Sequence, residues 1–267
     1  AATQGFIDAL NEALPGQVEF SNQNASGDIP MCSTIVNQFV ASEVDLILAN
    51  ATPALQSASA ATADIPILGT SVTEYGVALG IENFSGTVGG NVSGTSDAVP
   101  FDEQAKMMIE SLGLKAGDLV GVLYCSNESN SLIQYEAVKA LFEAEGIVVK
   151  AYTFSETTEL QTVTNSMASE CKAVYVPSDN TVAANDAIVG TICNEKNVPI
   201  YTSYGGAVCY ASLAIDYYEL GAETGKMAAQ ILLEGKNPAD IEIMTLTPSV
   251  AYNEDLCAQL GIEVPAN

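Results

Sequence analysis

Apolar runs alternate with amphipathic stretches along most of the chain, and one arrangement of them occurs twice, about 130 residues apart. In the first copy, an apolar run at 44–50 leads into a small polar loop, a helical stretch and a second run that ends in Thr-Ser at 70–71. The second copy starts from the run at 173–176 and follows the same order, ending in Thr-Ser at 202–203. The repetition predicts two similar lobes.

The spacing of apolar residues predicts alternating helices and strands. The predicted helices cover residues 1–14, 30–42, 52–63, 101–112, 129–145, 159–169, 181–194, 217–234 and 254–260. The predicted strands cover residues 18–20, 46–50, 67–70, 92–96, 119–124, 147–154, 173–176, 199–202, 211–215 and 249–252. Right-handed connections between successive strands place them in parallel sheets. The chain is therefore predicted to be an α/β protein with two Rossmann-like lobes.

Three hinge crossings between the lobes are predicted, near Asp97, near Asp216 and at 246–248. They divide the chain into an N-terminal lobe of residues 1–97 and 217–246 and a C-terminal lobe of residues 98–216 and 247–267. A parallel lobe normally opens with a strand, so the helix at 1–14 suggests that a first strand, its loop and any signal segment are missing from this sequence. Ligands of open parallel sheets bind beyond the carboxyl ends of the strands, which predicts one ligand in the cleft between the lobes.

Composition and charge narrow the class of partner. The chain is 48% hydrophobic and 15% charged, and no run of 18 apolar residues is long enough to span a membrane. Its 8 Lys and Arg against 33 Asp and Glu give a net charge of −25. Such a charge repels phosphate backbones, so we expect no nucleic-acid partner.

The cysteine and histidine content disfavours metal chemistry. There are six cysteines without CxxC spacing and no histidine, which argues against a zinc site. Most of the cysteines lie in apolar segments, which predicts buried free thiols. Cys125 stands out because it follows a predicted strand directly. Neither a Walker A motif, a GxSxG elbow nor a dinucleotide-binding loop occurs, so we expect no cofactor and no enzymatic activity.

Four motifs carry a resemblance to a known family. They read DLILANATPA at 45–54, GNVSGTSD at 90–97, YVPSDNTV at 175–182 and IDYYELG at 215–221. In this order they resemble the ABC-transporter substrate-binding family that includes tryptophan- and tyrosine-binding members and has the type I periplasmic binding protein fold. The likeness covers nearly the whole chain. The family's first strand and polar loop have no counterpart here, so their ligand contacts are not assigned.

The resemblance implies an extracytoplasmic protein, lipid-anchored in Gram-positive organisms, that delivers a small molecule to a membrane ABC permease. Family members of this branch bind aromatic amino acids, so the expected ligand is Phe, Tyr or Trp. Two alternatives remain open on the residues alone. One is a sugar- or nucleoside-binding protein of the same fold, which the absence of tryptophan weakens. The other is an α/β enzyme that uses Asp or Cys chemistry.

Candidate ligand contacts in the N-terminal lobe follow its strands. Ala51 and Thr52 precede Pro53 at a predicted helix start, where free N–H groups and the helix dipole suit a ligand carboxylate, although Thr52 is also a plain N-cap. Thr73 adds a hydroxyl after the next strand. Ser96, Asp97 and Asp216 lie at predicted crossings, where the aspartates either bind ligand or satisfy backbone amides.

Candidate contacts in the C-terminal lobe lie in three polar loops. Ser126, Asn130 and Ser131 follow the strand at 119–124, and the alternative for them is a solvated, helix-capping turn. Asp179 and Asn180 follow the strand at 173–176. A buried ammonium needs a nearby carboxylate, so Asp179 is predicted on the ammonium side, with helix capping as its alternative. Tyr204 is predicted to be an aromatic wall or to pack on its own lobe.

Overall fold

The computed structural model describes residues 1–265, which contain eleven α-helices, ten strands and one 3-10 helix at Pro238–Asp240. The helices are α1 Ala2–Ala13, α2 Ile29–Ala41, α3 Thr52–Ala61, α4 Tyr75–Ala78, α5 Phe101–Leu112, α6 Ser129–Ala144, α7 Thr157–Glu170, α8 Asn180–Ala183, α9 Asp186–Glu195, α10 Tyr217–Glu234 and α11 Glu254–Leu260. The strands are β1 Ile47–Asn50, β2 Ile67–Val72, β3 Val92–Ser96, β4 Leu119–Cys125, β5 Val148–Phe154, β6 Ala173–Val176, β7 Ile200–Thr202, β8 Ala211–Ala214, β9 Met244–Thr245 and β10 Ser249–Tyr252.

The chain forms two compact units. Unit 1 comprises Ala1–Ala98 and Ile215–Thr247, and unit 2 comprises Val99–Ala214 and the segment from Pro248 onward. Each unit has its own sheet and its own apolar cores, as the repeated sequence pattern predicts.

Unit 1 is built on a four-stranded parallel sheet in the order β1-β2-β3-β9. Successive residues of β2 point to opposite faces, so Ile67 packs in one core and Leu68 in the other. Leu55 of α3 shares the first core, while Phe6 of α1 and Met227 of α10 share the second. A sheet covered on both faces leaves its strand ends as the exposed polar edge.

Unit 2 is built on a six-stranded sheet in the order β10-β8-β7-β6-β4-β5. All pairs are parallel except β10 with β8, which is antiparallel and closes one edge. Along β4, Val122 and Tyr124 enter one core, whereas Leu123 and Cys125 enter the core on the other face. The carboxyl ends of β4, β6 and β7 therefore open at one edge of this sheet.

Two predicted elements differ from the structure. The predicted strand at 18–20 is wrong, because β1 is an edge strand and pairs only with β2 among residues 1–265, so the segment has no ladder to join. Val18 and Phe20 instead pack beside the core that contains α1. The predicted helix at 181–194 is two helices, α8 and α9, because the Asn185 side chain donates to the Thr181 carbonyl (2.8 Å) where the chain turns.

Candidate functional site

The carboxyl end of β1 carries a strained backbone. Ala51 has φ 83° and ψ 159°, a region that residues other than glycine rarely occupy. Its N–H donates to the Thr70 carbonyl of β2 (2.9 Å), which holds the chain in this conformation. Among residues 1–265 no side chain caps α3, whose first residue, Thr52, is buried. The amino end of α3 thus keeps N–H groups that suit an anion.

The strain at Ala51 gives a first prediction. Ala51→Gly is expected to raise the free energy of unfolding by roughly 0.5–2 kcal/mol, because glycine adopts this backbone region without steric cost and that gain exceeds its extra unfolded-state entropy. Urea unfolding followed by circular dichroism measures the change. Ala54→Gly, inside α3, is the control and is expected to lose about 1 kcal/mol. If both variants have a lower free energy of unfolding than the unmodified protein, the backbone at Ala51 is not strained.

The ends of β2 and β3 meet on a buried carboxylate. Thr73 Oγ1 donates to Asp97 Oδ1 (2.9 Å), and the Tyr217 hydroxyl donates to Asp97 Oδ2 (2.8 Å). The Ser96 hydroxyl donates to the Thr73 carbonyl (2.9 Å). Burial raises the pKa of Asp97, although these two hydroxyl donors oppose the rise. Thr73, Ser96 and Asp97 therefore form one linked polar cluster within unit 1.

Asp216 has a different environment from Asp97. It is exposed and precedes α10, where its Oδ1 accepts from the backbone N–H groups of Tyr218 (2.8 Å) and Glu219 (3.1 Å). These are the contacts of a helix N-cap. Of the two roles that the sequence leaves open for Asp216, its contacts match the satisfaction of backbone amides.

In unit 2, Asp179 lies at the end of β6 and is 1% exposed. Its Oδ2 accepts from the Cys125 N–H (2.8 Å) and from the Ser131 hydroxyl (2.7 Å), while its Oδ1 accepts from the Val182 N–H (2.8 Å). Burial, with a smaller contribution from the charge of Glu128, raises the pKa of Asp179 to about 7. Asp179 thus caps α8 and ties the ends of β4 and β6 together.

Glu128 is a buried carboxylate that the sequence analysis does not single out. It is 3% exposed and accepts five hydrogen bonds, the longest of them from Asn130 Nδ2 (3.4 Å). Oε2 accepts from the backbone N–H (2.9 Å) and side-chain Nδ2 (2.7 Å) of Asn180. Oε1 accepts from the backbone N–H (2.9 Å) and hydroxyl (2.7 Å) of Thr181. The signal in the sequence is weak, because a glutamate in a Ser- and Asn-rich loop ordinarily predicts a solvated turn.

Asn130 lies beside this carboxylate at the start of α6. Its Nδ2 donates to the Ser178 carbonyl (2.7 Å), and its Oδ1 is buried without a hydrogen-bond partner among the described residues. Ser203, at the end of β7, donates to Gln134 Oε1 (3.1 Å), which also accepts from the Ser178 N–H (3.0 Å). Ser126 is exposed, and its hydroxyl donates to the Phe154 carbonyl (3.2 Å). Apart from Ser126, these groups form one buried polar network.

Tyr204 and Cys125 border this network. The Tyr204 ring packs against the core that contains Leu123, and its hydroxyl is buried without a partner among residues 1–265. Burial raises the pKa of Tyr204. The Cys125 side chain lies in the same core, and burial raises the pKa of its thiol, although hydrogen bonds with the Asn127 backbone and the Thr181 side chain oppose the rise. All six cysteines are free and five are buried, as the sequence predicts.

Apart from Asp216, which caps α10, the candidate site residues thus fall into two groups, one in each unit. In unit 1, Ala51, Thr52, Thr73, Ser96 and Asp97 lie at the carboxyl ends of β1, β2 and β3. In unit 2, Ser126, Asn130, Ser131, Asp179, Asn180 and Tyr204 lie at the carboxyl ends of β4, β6 and β7. This is the edge of a parallel sheet at which ligands bind.

Comparison with known proteins shows the family to which the chain belongs. The family model for ABC transporter substrate-binding proteins matches residues 1–267. The chain therefore belongs to the ABC transporter substrate-binding protein family. A tyrosine-binding protein of Clostridioides difficile (strain R20291) is 35% identical over 269 residues, covering 98% of this chain and 77% of the relative.

Two solved structures are similar to the chain over nearly its whole length. The ABC domain from Streptococcus pneumonia in complex with L-Trp has a TM-score of 0.90 and 34% identity, covering 99% of this chain and 91% of that one. A conserved domain protein from Vibrio cholerae has a TM-score of 0.91 and 28% identity, covering 99% and 90%. The predicted family and the type I periplasmic binding protein fold are confirmed.

Family membership defines the general role of the chain. A substrate-binding protein captures a solute for an ABC transporter, and the family is one of binding proteins rather than enzymes. Substrate-binding proteins of ABC importers act outside the cytoplasm. No helix within residues 1–265 is both long and apolar enough to cross a bilayer.

Proposed function

We propose that this chain captures an aromatic α-amino acid, Phe, Tyr or Trp, for import. The observation that carries the proposal is its similarity, across nearly the whole chain, to a relative named for tyrosine binding and to a domain solved with L-Trp. The sugar-transporter structures that share the fold are 16% identical or less, so their similarity supports only the assignment of the fold.

The polar strand ends offer the chemistry that a zwitterion requires. In unit 1, the uncapped amino end of α3 at Thr52 suits a carboxylate. In unit 2, the network around Asp179 and Glu128 has two buried carboxylates, which favour a cation nearby. A sugar has neither an anionic nor a cationic group, so it would gain nothing from an anion-binding helix end in unit 1 and a cation-favouring network in unit 2. The proposal therefore assigns the carboxylate to Thr52 and the ammonium to the unit 2 edge.

The proposed partner is a membrane ABC permease, to which the protein delivers its ligand. A lipid anchor that holds it at the outer surface belongs to the proposal as well. Globomycin treatment of cells that express the full-length gene, followed by mass analysis of the mature protein, tests the anchor. An amino terminus without lipid would refute the anchor and would leave the proposed ligand binding unaffected.

Isothermal titration calorimetry tests the ligand class directly. After unfolding and refolding to remove any bound molecule, we expect heat of binding with at least one of L-Phe, L-Tyr and L-Trp at one site per chain. The D-enantiomers and L-Leu serve as controls and are expected to bind more weakly, because the carboxylate, ammonium and ring fix one handedness. Binding of a sugar or nucleoside with no response to aromatic amino acids would refute the proposal.

A further inference from the structure

Glu128 holds two carboxamides in a defined orientation. Asn180 Nδ2 donates to Glu128 Oε2 (2.7 Å), and Asn130 Nδ2 lies 3.4 Å from the same oxygen while it donates to the Ser178 carbonyl. Carboxylate and carbonyl oxygens accept hydrogen bonds and donate none, so the NH₂ group of Asn180 must face Glu128, and that of Asn130 must face the Ser178 carbonyl and Glu128 together. The Oδ1 atom of each amide consequently faces away from Glu128.

The amide oxygen of Asn130 is buried but accepts no hydrogen bond among residues 1–265. The residue is 3% exposed. A buried acceptor without a donor is destabilising, so such atoms are rare unless a ligand or water supplies the hydrogen bond. The Asn180 side chain is half-buried, and no hydrogen bond to its Oδ1 is formed within the same residues.

Asp179, by contrast, has little capacity left for a ligand. Its two oxygens already accept three hydrogen bonds from Cys125, Ser131 and Val182, and the residue is 1% exposed. A cation that displaced one of these donors would leave that donor unpaired. The groups that remain open at this edge are therefore neutral oxygens backed by buried carboxylates.

We propose that Glu128 is a positioning residue, which turns the amide oxygens of Asn130 and Asn180 toward the ligand's ammonium group. The inference rests on the proposed function, since it assumes an α-amino acid ligand. The two oxygens accept from the ammonium, while Glu128 behind them supplies the negative field that stabilises its charge. Glutamine at position 128 weakens that field and brings an NH₂ group that no longer fixes the two amides.

Calorimetry with matched ligands tests the role of Glu128. Glu128→Gln is expected to weaken L-Tyr or L-Trp binding by about 10- to 100-fold, the effect of losing a charge-assisted contact. The probes without the amino group, 3-(4-hydroxyphenyl)propanoate and 3-(indol-3-yl)propanoate, are expected to change by less than about 2-fold, because they lack the group that Glu128 serves. Glu145→Gln, an exposed glutamate after α6, is the control and is expected to bind as the unmodified protein does.

A second variant tests the same role of Glu128 if Glu128→Gln fails to fold. Asn180→Ala removes one of the two amide oxygens from a half-buried position and is expected to weaken amino acid binding alone, by about 10-fold. Equal loss for both kinds of probe, or no loss with either variant, would overturn the role of Glu128 while the proposed function stands. If the unmodified protein binds neither L-Tyr nor L-Trp, the proposed function and this inference fall together.

Discussion

Gly221→Ala is expected to lower the free energy of unfolding by about 3 kcal/mol or more, although alanine is the better helix former. A Cβ added at Gly221 of α10 would lie 1.9 Å from the carbonyl oxygen of Ala2 and 2.7 Å from its Cα. Both are backbone atoms of α1, so no side chain can move aside and the two helices must separate. A Cβ added at Gly5 of α1 would make the reciprocal clash, 2.0 Å from the Tyr218 carbonyl oxygen.

Urea unfolding followed by circular dichroism measures this loss, with Gly190→Ala as the matched control. Gly190 is also a buried helical glycine, but its added Cβ would meet the side chain of Val208, 2.6 Å away. Val208 lies in the turn between β7 and β8, which can shift by a few tenths of an ångström more easily than a packed helix, so the control is expected to lose no more than about 1–2 kcal/mol. Similar losses in both variants would show that α1 and α10 are not in backbone contact.

The elements that the sequence predicts best have both a strong apolar pattern and explicit end signals. The predicted bounds of α10, 217–234, are those observed, because Asp216 caps its first turn and Gly235 ends it in a left-handed conformation. The strand β6 is likewise found where the apolar run 173–176 predicts it. In these cases the local pattern contains the physical cause of the structure.

The misassigned elements depend on neighbours that are distant in sequence. Residues 18–20 alternate like a strand, yet a strand forms only beside a hydrogen-bonded partner. The local sequence does not predict the two-residue strand β9, because β9 pairs with Thr95 and Ser96 of β3, nearly 150 residues away. A short run without periodicity does not carry that information.

The candidate site shows the same division between local and distant causes. Its location could be predicted, because strand order alone places the polar loops at one edge of each sheet. The role of each side chain could not. The cap from Asp179 to Val182 spans three residues and is readable, but the Cys125 and Ser131 donors that occupy its other oxygen lie 54 and 48 residues away. For the same reason the sequence gives no sign of the role of Glu128, whose partner Asn180 lies 52 residues later.

The buried state of Asp179 predicts that the protein loses stability as the pH rises from about 4 to about 7. Burial raises the folded-state pKa of Asp179 to about 7, with Glu128 adding to the rise. An unfolded aspartate has a pKa of about 3.9, so within this range the folded chain binds a proton that the unfolded chain has released. The contribution of Asp179 is complete below about pH 4, and it falls by roughly 4 kcal/mol as that proton is lost.

Measuring the free energy of unfolding of the ligand-free protein at pH 4.5 and pH 8 isolates this contribution. Asp179→Asn carries no titrating group, so its stability is expected to fall less between the two pH values than that of the unmodified protein, whatever its absolute level. Asp64→Asn, at an exposed position, corrects for the general charge repulsion of this acidic chain and is expected to retain the full dependence. An Asp179→Asn variant with the unmodified pH dependence would mean that this carboxylate is ionised in the fold throughout the range, stabilised by its three donors despite burial.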